Sequence, residues 1–283
     1  MGSDPVYLDA LGTAHRRAAP DARIACLVPS ITELVCDLGL AAQLVARTGF
    51  CIHPRDAVAN IPKVGGTKGV DLARLRELAP THVIVNIDEN QKPVADAIAR
   101  FVPHVIVTHP NAPPDNLALY RLVGGVFDRA AAAEKLCEAL EVALGAALQA
   151  FTGRPRENVL YLIWKDPWMT VARDTYISRT LATVGWDTVP ADAGARYPQV
   201  DLPDAARDAS LILLSSEPYM FRAPHAAVLQ AELDGCVPGR RVVLIDGEMT
   251  SWYGSRAIQG LRYLPGFRAA CYNSPLGAVG RKA

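Results

Sequence analysis

At 283 residues, 50% of them hydrophobic, the chain is long enough for one large or two medium packed domains. Its 29 basic and 29 acidic residues cancel, and no block of either sign stands out. This leaves nucleic-acid binding and polybasic membrane attachment without an electrostatic footprint, and no apolar run reaches the ~18–20 residues that cross a bilayer.

The first 22 residues carry Asp4, Asp9, His15, Arg16, Arg17 and Asp21 and lack the apolar core of a secretory signal. Six cysteines (Cys26, Cys36, Cys51, Cys137, Cys236 and Cys271) form no CxxC pair, as expected of reduced thiols. The expectation is a cytoplasmic protein. The alternative is a periplasmic one whose signal is absent from this sequence.

In chain order, Ile24–Val28 reads as a buried strand and Ile31–Leu38 as a helix. Ser30 and Glu33 are spaced as a capping box, and Gly39 is set as the stop. Leu44–Arg47 is a second strand. Ile61–Gly69 is a glycine-rich turn, after which Asp71 caps a helix to Leu78. His82–Val85 and His104–Val107 are strands around a helix at Lys92–Phe101. From Asp115 to Phe151 no proline interrupts a helical apolar spacing. Gly124-Gly125 costs about 1 kcal/mol per glycine, and Phe127-Asp128 has the form of a staple residue and an N-cap. Two helices are therefore expected, Asp115–Val126 and Arg129 to about Ala150, the second a bridge roughly 33 Å long.

The second half repeats the plan. Asn158–Ile163, Leu211–Leu214 and Val242–Ile245 read as strands. Asp174–Val184, Leu202–Ala209, Ala223–Leu233 and Gly254–Leu264 read as helices, and Ala270–Ala283 as a fraying tail. Alternating strands and helices imply parallel sheets covered on both faces. The fold class is α/β: two lobes with parallel-sheet α/β sandwiches joined by a single long backbone helix. The lobes are residues 22–114 and 156–270, with the helical connection at 115–151.

Ligands of open α/β sheets bind at the loops beyond the carboxyl ends of the strands. Those loops are Pro29-Ser30, Thr48–Pro54, Asn86–Asn90, Trp164–Arg173, Ser215–Arg222 and Asp246–Tyr253, and two facing lobes would line one cleft with them. They are rich in rings: Phe50, Trp164, Trp168, Tyr197, Tyr219, Phe221, Trp252 and Tyr253 lie in or beside them. Stiff rings suit a flat or bulky ligand. The plainer reading makes some of them plugs at loop bases. Asp88, Glu89, Glu217, Asp246 and Glu248 add carboxylates, which on the plain reading are solvated tips or helix caps. Cys51 and His53 are two soft ligands where zinc takes three or four, so His53 reads better as a contact to a metal-bearing ligand. Ser215-Ser216 is no nucleophile elbow, and Gly65-Gly66 with Gly69 is neither a Walker loop nor a dinucleotide fingerprint.

The run Ile24-Ala25-Cys26-Leu27-Val28-Pro29-Ser30-Ile31-Thr32-Glu33-Leu34 resembles the opening of the cobalamin and ferric-siderophore class of substrate-binding proteins, the helical-backbone metal receptors. Ile61–Gly66, Asp71-Leu72, Ala79–Val85, Trp164–Ile177, Arg196–Val200 and Asp246–Leu261 continue the likeness in order over roughly residues 22–268. The cobalamin receptor branch is the nearest. The resemblance implies two α/β lobes, no enzymatic activity, and a corrinoid or similar bulky metal chelate as a bound small-molecule ligand. It makes Phe50, His53 and Thr67 ligand-facing in the first lobe and Trp168, Tyr197 and Glu248 in the second. Tyr197 stands where the family has a tryptophan, and so does Thr67. With the loop residues Ser30, Asp88, Trp164, Tyr219, Trp252 and Tyr253, these complete the candidate ligand-binding set. Such receptors dock on an ABC permease through a glutamate on each lobe. Here those positions read Ala73 and Pro203 or Asp204, which implies a relative that does not serve an importer. The alternatives are an importer's substrate-binding subunit, or an enzyme using Cys51, His53 or Glu248.

Overall fold

The computed structural model describes residues 5–273. They fall into two compact units, one of residues 5–110, 114–140 and 253–256, the other of 111–113, 141–252 and 257–273.

The first unit opens with a hairpin, β1 (Tyr7–Leu8) paired antiparallel with β2 (Ala14–His15). Four parallel strands follow: β3 (Ile24–Cys26), β4 (Leu44–Arg47), β5 (His82–Asn86) and β6 (His104–Thr108), in the order β4-β3-β5-β6. Between them run α1 (Pro29–Asp37), α2 (Arg55–Val58), α3 (Leu72–Glu77) and α4 (Lys92–Ile98). Ala25, Ala46, Val83 and Val85 pack one sheet face against Leu75 of α3 and Ile98 of α4. The hairpin covers the outer edge strand β6, because Ala10 donates to the Val107 carbonyl at 2.9 Å and Asp9 accepts from the Val107 amide at 3.1 Å. An edge paired in this way is closed to other chains.

Local signals worked where they were short-range. Asp71 caps α3 by accepting from Arg74 N at 2.9 Å, and Gly39 takes φ +76° just past the end of α1. The capping box did not form. Helix α1 starts two residues early, at Pro29, with no side-chain cap, and the Glu33 carboxylate is held by Arg256 instead. Proline already lacks the amide that a cap would satisfy.

Helices α5 (Asp115–Val126) and α6 (Ala130–Phe151) are separate, as expected, but the cause differs. Gly124 and Gly125 lie inside α5 and serve packing: a Cβ on Gly124 would come within 2.5 Å of the Ala133 Cβ, and one on Gly125 within 2.0 Å of the Tyr7 ring. The break comes at Asp128, which has φ +56° and so closes α5 rather than capping α6. Helix α6 has 22 residues, of which those to Leu140 group with the first unit and those from Glu141 with the second.

The second unit holds β7 (Glu157–Leu162), α7 (Tyr176–Ala182), β8 (Trp186–Thr188), α8 (Leu202–Arg207), β9 (Leu211–Ser215), α9 (Ala223–Cys236), β10 (Arg241–Ile245), α10 (Gly247–Ser251) and α11 (Arg256–Asn273) from its second residue on. Its parallel sheet runs β10-β9-β7-β8, which repeats the strand order of the first sheet when each is counted from its own first strand. Alternate residues split between two cores. Val159, Tyr161, Leu211 and Leu213 face one side; Leu160, Leu162, Ile212 and Leu214 face the other. Strand β8 was not anticipated, being only three residues long. Helix α11 runs past Pro265 to Asn273, beyond its expected end at Leu264, because Leu264 and Cys271 are both buried in the core. That burial also corrects the tail reading for 270–273, and residues 274–283 lie outside the described range.

Gly185, the expected stop after α7, has φ +75°, and a Cβ there would sit 2.0 Å from Cζ of Phe151. Gly185→Ala combines backbone strain with overpacking and is expected to cost about 2–4 kcal/mol, read as a lowered urea midpoint. An unchanged midpoint would contradict this packing.

Candidate functional site

Each sheet reverses its strand order next to its first strand, between β3 and β5 in one unit and between β7 and β9 in the other. Such switch points open a crevice at the carboxyl strand ends, where ligands of α/β sheets sit.

In the first unit, Asn90 stitches this crevice. Its side-chain nitrogen donates to the Thr67 carbonyl at 2.8 Å and to the Leu27 carbonyl at 3.3 Å, and its oxygen accepts from Asn86 N at 2.9 Å. Three apolar side chains are exposed on the loops of this end of the sheet, Phe50, Ile52 and Ile87. The Phe50 ring packs over Gly66, where a Cβ would come within 3.3 Å of it, and so lies close to Thr67. His53 is half-buried on the same loop as Phe50. Asp88, also half-buried, pairs with His109 at 3.6 Å. Between the two exposed side chains, Cys51 turns inward. Its sulfur meets the hydroxyls of Thr32 and Thr48, each at 3.1 Å. Burial pushes this thiol above its ordinary range, against those two hydrogen bonds. A protonated, enclosed thiol is a poor nucleophile, so the structure speaks against an enzyme built on Cys51.

Ser30 lies buried in the first turn of α1. Tyr253 is buried too, and its hydroxyl donates to Glu89. Burial and the neighbouring Glu89 carboxylate raise the Tyr253 phenol well above its usual value, so it stays a donor.

In the second unit, Trp164 meets Tyr219 edge-on at 5.6 Å between ring centroids, at the end of β7 and beyond β9. Tyr219 leans on Phe221 at 4.6 Å, and Phe221 stacks on Trp168 at 6.0 Å. One aromatic surface thus joins four of the expected rings. Met220 adds an exposed apolar side chain beside it. Tyr197 instead packs against the core that holds Tyr161. Glu248 lies half-buried in the first turn of α10, which Asp246 caps by accepting from its amide at 3.0 Å. Trp252 is buried, with its indole nitrogen donating to Glu217 Oε2 at 2.7 Å. Beneath these loops the Tyr161 hydroxyl reaches Ser215 Oγ at 2.9 Å and Thr250 Oγ1 at 2.6 Å. Burial pushes that phenol up to about 12.

Ser30, Trp252 and Tyr253, expected to face a ligand, are buried side chains, Trp252 bonded to Glu217 and Tyr253 to Glu89. Ile52, Ile87 and Met220 went unnoticed in the sequence. An apolar residue in a loop carries no local sign of being exposed. Among the described residues no group of three or more His, Cys, Asp and Glu side chains could hold a metal ion, and no helix is long and apolar enough to cross a membrane.

Residues 24–229 match the family described as periplasmic binding protein. The chain belongs to that family. Periplasmic binding proteins are substrate-binding proteins, not enzymes. Among the relatives of this family member is the vitamin B12-binding protein of Vibrio vulnificus, 23% identical over 210 residues, or 74% of each chain. The solved periplasmic vitamin B12 binding protein of Vibrio cholerae superposes with a TM-score of 0.74 at 16% identity, covering 89% of this chain and 98% of that one. A periplasmic heme-binding protein from Roseiflexus sp. RS-1 does so with a TM-score of 0.70 at 21% identity, covering 86% and 96%. These likenesses carry the fold: parallel-sheet α/β lobes of the cobalamin-receptor type.

Proposed function

We propose that this member of the family binds a corrinoid or another bulky metal chelate through the loops at its carboxyl strand ends. The observation that carries this reading is the exposure of large apolar side chains on those loops. Phe50 is 63%, Ile52 49% and Ile87 44% exposed in the first unit, and Met220 is 59% and Trp164 40% exposed in the second. Clustered exposed apolar side chains mark binding surfaces, and rings suit a flat macrocycle. The vitamin B12 and heme binders among its relatives have ligands of this class.

Titration of the purified protein with cobalamin, cobinamide and haem, followed by tryptophan quenching and calorimetry, tests this. At least one of them is expected to saturate. Phe50→Ala and Trp164→Ala are each expected to weaken it about 10- to 100-fold, in keeping with the burial of one aromatic side chain. Full-strength binding in both variants, or no binding in the parent, would sink the reading.

We further infer a cytoplasmic protein that is not docked on a permease. Supporting this, Ala73 is exposed on α3 just before Arg74 and Arg76, and Asp204 is engaged by Arg207 on α8. The second reading, an importer's substrate-binding subunit, is favoured by family membership. Recovery of the native protein from the periplasmic fraction of its source cells would overturn the first and support the second.

A further inference from the structure

Arg47 ends β4 and is 5% exposed, yet among the described residues its guanidinium meets no carboxylate. It meets backbone carbonyls instead. Nε donates to Val58 O at 2.9 Å, and Nη1 donates to Cys51 O at 3.0 Å and Thr48 O at 3.2 Å. Burying a charge is costly unless its donors are satisfied, so a guanidinium kept here ties its surroundings to its own geometry. Two of the three carbonyls belong to the loop that carries Phe50, Ile52 and His53. The third ends α2, the helix that this loop leads into.

We propose that Arg47 is the positioning residue of the Thr48–His53 loop, a role that rests on the chelate-binding reading for its purpose but not for its test. The loop has to bring Phe50 and Ile52 out to solvent on either side of an inward Cys51. Arg47 fixes the carbonyls of Thr48 and Cys51, the two residues that bracket Gly49 and Phe50. The hydroxyls of Thr32 and Thr48 hold the Cys51 sulfur, and Gly49 N donates to Gly65 O at 2.7 Å. With its inward side pinned, the loop has only its outward side chains left for a ligand. A planar fork with fixed donor directions can serve several carbonyls at once. A lysine ammonium on a flexible stem keeps the charge but not those directions.

The test compares the parent with Arg47→Lys and, where that variant is folded, Arg47→Met. Without ligand, amide hydrogen exchange is read at Gly49 and Cys51, with Val83–Val85 of β5 as the internal reference. Both loop amides are expected to exchange about 10- to 100-fold faster in Arg47→Lys while β5 is unchanged, the scale of losing a charge-assisted hydrogen bond. With cobinamide or haem, Arg47→Lys is expected to lose about tenfold in affinity. That loss should be less than additive with Phe50→Ala, because both act through one contact. Unchanged exchange at Gly49 and Cys51, or fully additive affinity losses, would overturn the proposal. Accelerated exchange in a protein that binds neither probe would uphold the positioning role and reject the chelate reading.

Discussion

Glu33→Ala lowers the stability of the first unit by about 3–5 kcal/mol, the expected cost of removing one partner of a buried ion pair. Arg256 donates from Nε to Glu33 Oε2 at 2.8 Å and from Nη2 to Oε1 at 2.6 Å, and the two side chains are 9% and 10% exposed. This fork closes a segment, 253–256, that returns to the first unit late in the chain. Gly254 N in the same segment donates to Asn116 Oδ1 at 2.6 Å, and the Tyr120 hydroxyl donates to Gly254 O at 2.8 Å. Removing the carboxylate from this guanidinium, in a place with little access to water, therefore loosens the whole segment. Replacing both residues, Glu33→Met with Arg256→Met, removes the charges together and is expected to stay within about 1–2 kcal/mol of the parent. Urea midpoints of the three proteins decide the matter. A single variant as stable as the parent would show that the pair carries no such weight.

Acid should destabilise the first unit before its carboxylates protonate. His82 is buried at the start of β5, stacked on His104 at 4.5 Å and edge-on to Phe127 at 5.2 Å. Its Nδ1 bonds the Thr81 hydroxyl at 2.8 Å. Burial first, then the neighbouring His104 and His15, lower its pKa from 6.5 to about 4. The unfolded chain therefore binds the proton more readily than the folded one between those two values. Stability is full above about pH 6.5 and falls as pH drops toward 4. A pKa lowered this far corresponds to about 3 kcal/mol, and allowing for water at this edge of the sheet leaves about 2 kcal/mol. Asp9 acts in a separate, lower window. Burial works to raise its pKa, but hydrogen bonds from Val107, His15, Thr13 and Leu11 outweigh it and hold the carboxyl below 3.8, so its contribution is lost only in stronger acid. Melts from pH 7 to 4 should show the parent losing this stability and His82→Phe losing much less. Parallel curves for the two proteins would rule His82 out as the cause.

Much of this architecture was legible because the signals lie within a few residues of what they control. The Asp115–Val126 helix and the Leu44–Arg47 strand have the bounds that periodicity suggests, and Asp71, Gly39 and Gly185 act within one turn of their own helix. The aromatic loops were legible for a similar reason: parallel strands place their carboxyl-end loops together, so Trp164 and Tyr219 belong to one end of a sheet on sequence alone. The candidate site was harder, since exposure is not a local property. Ile52 and Ile87 lie in loops expected to line the site, yet nothing in the sequence marked them as exposed, and Trp252 and Tyr253, expected as ligand contacts, are buried with bonds to Glu217 and Glu89.

By itself, then, the sequence determined two parallel α/β sheets, the helix pair between them in the chain, and the family, because hydrophobic period, turn chemistry and helix stops are all short-range. Only the tertiary structure decided that Glu33 belongs to Arg256, 223 positions away, and not to a local cap. It also decided that α11 continues through Pro265, and that Arg47 spends its donors on the carbonyls of one loop. Each of these depends on which groups are left without water once the chain has packed, and that is a property of the assembled core rather than of any stretch of residues.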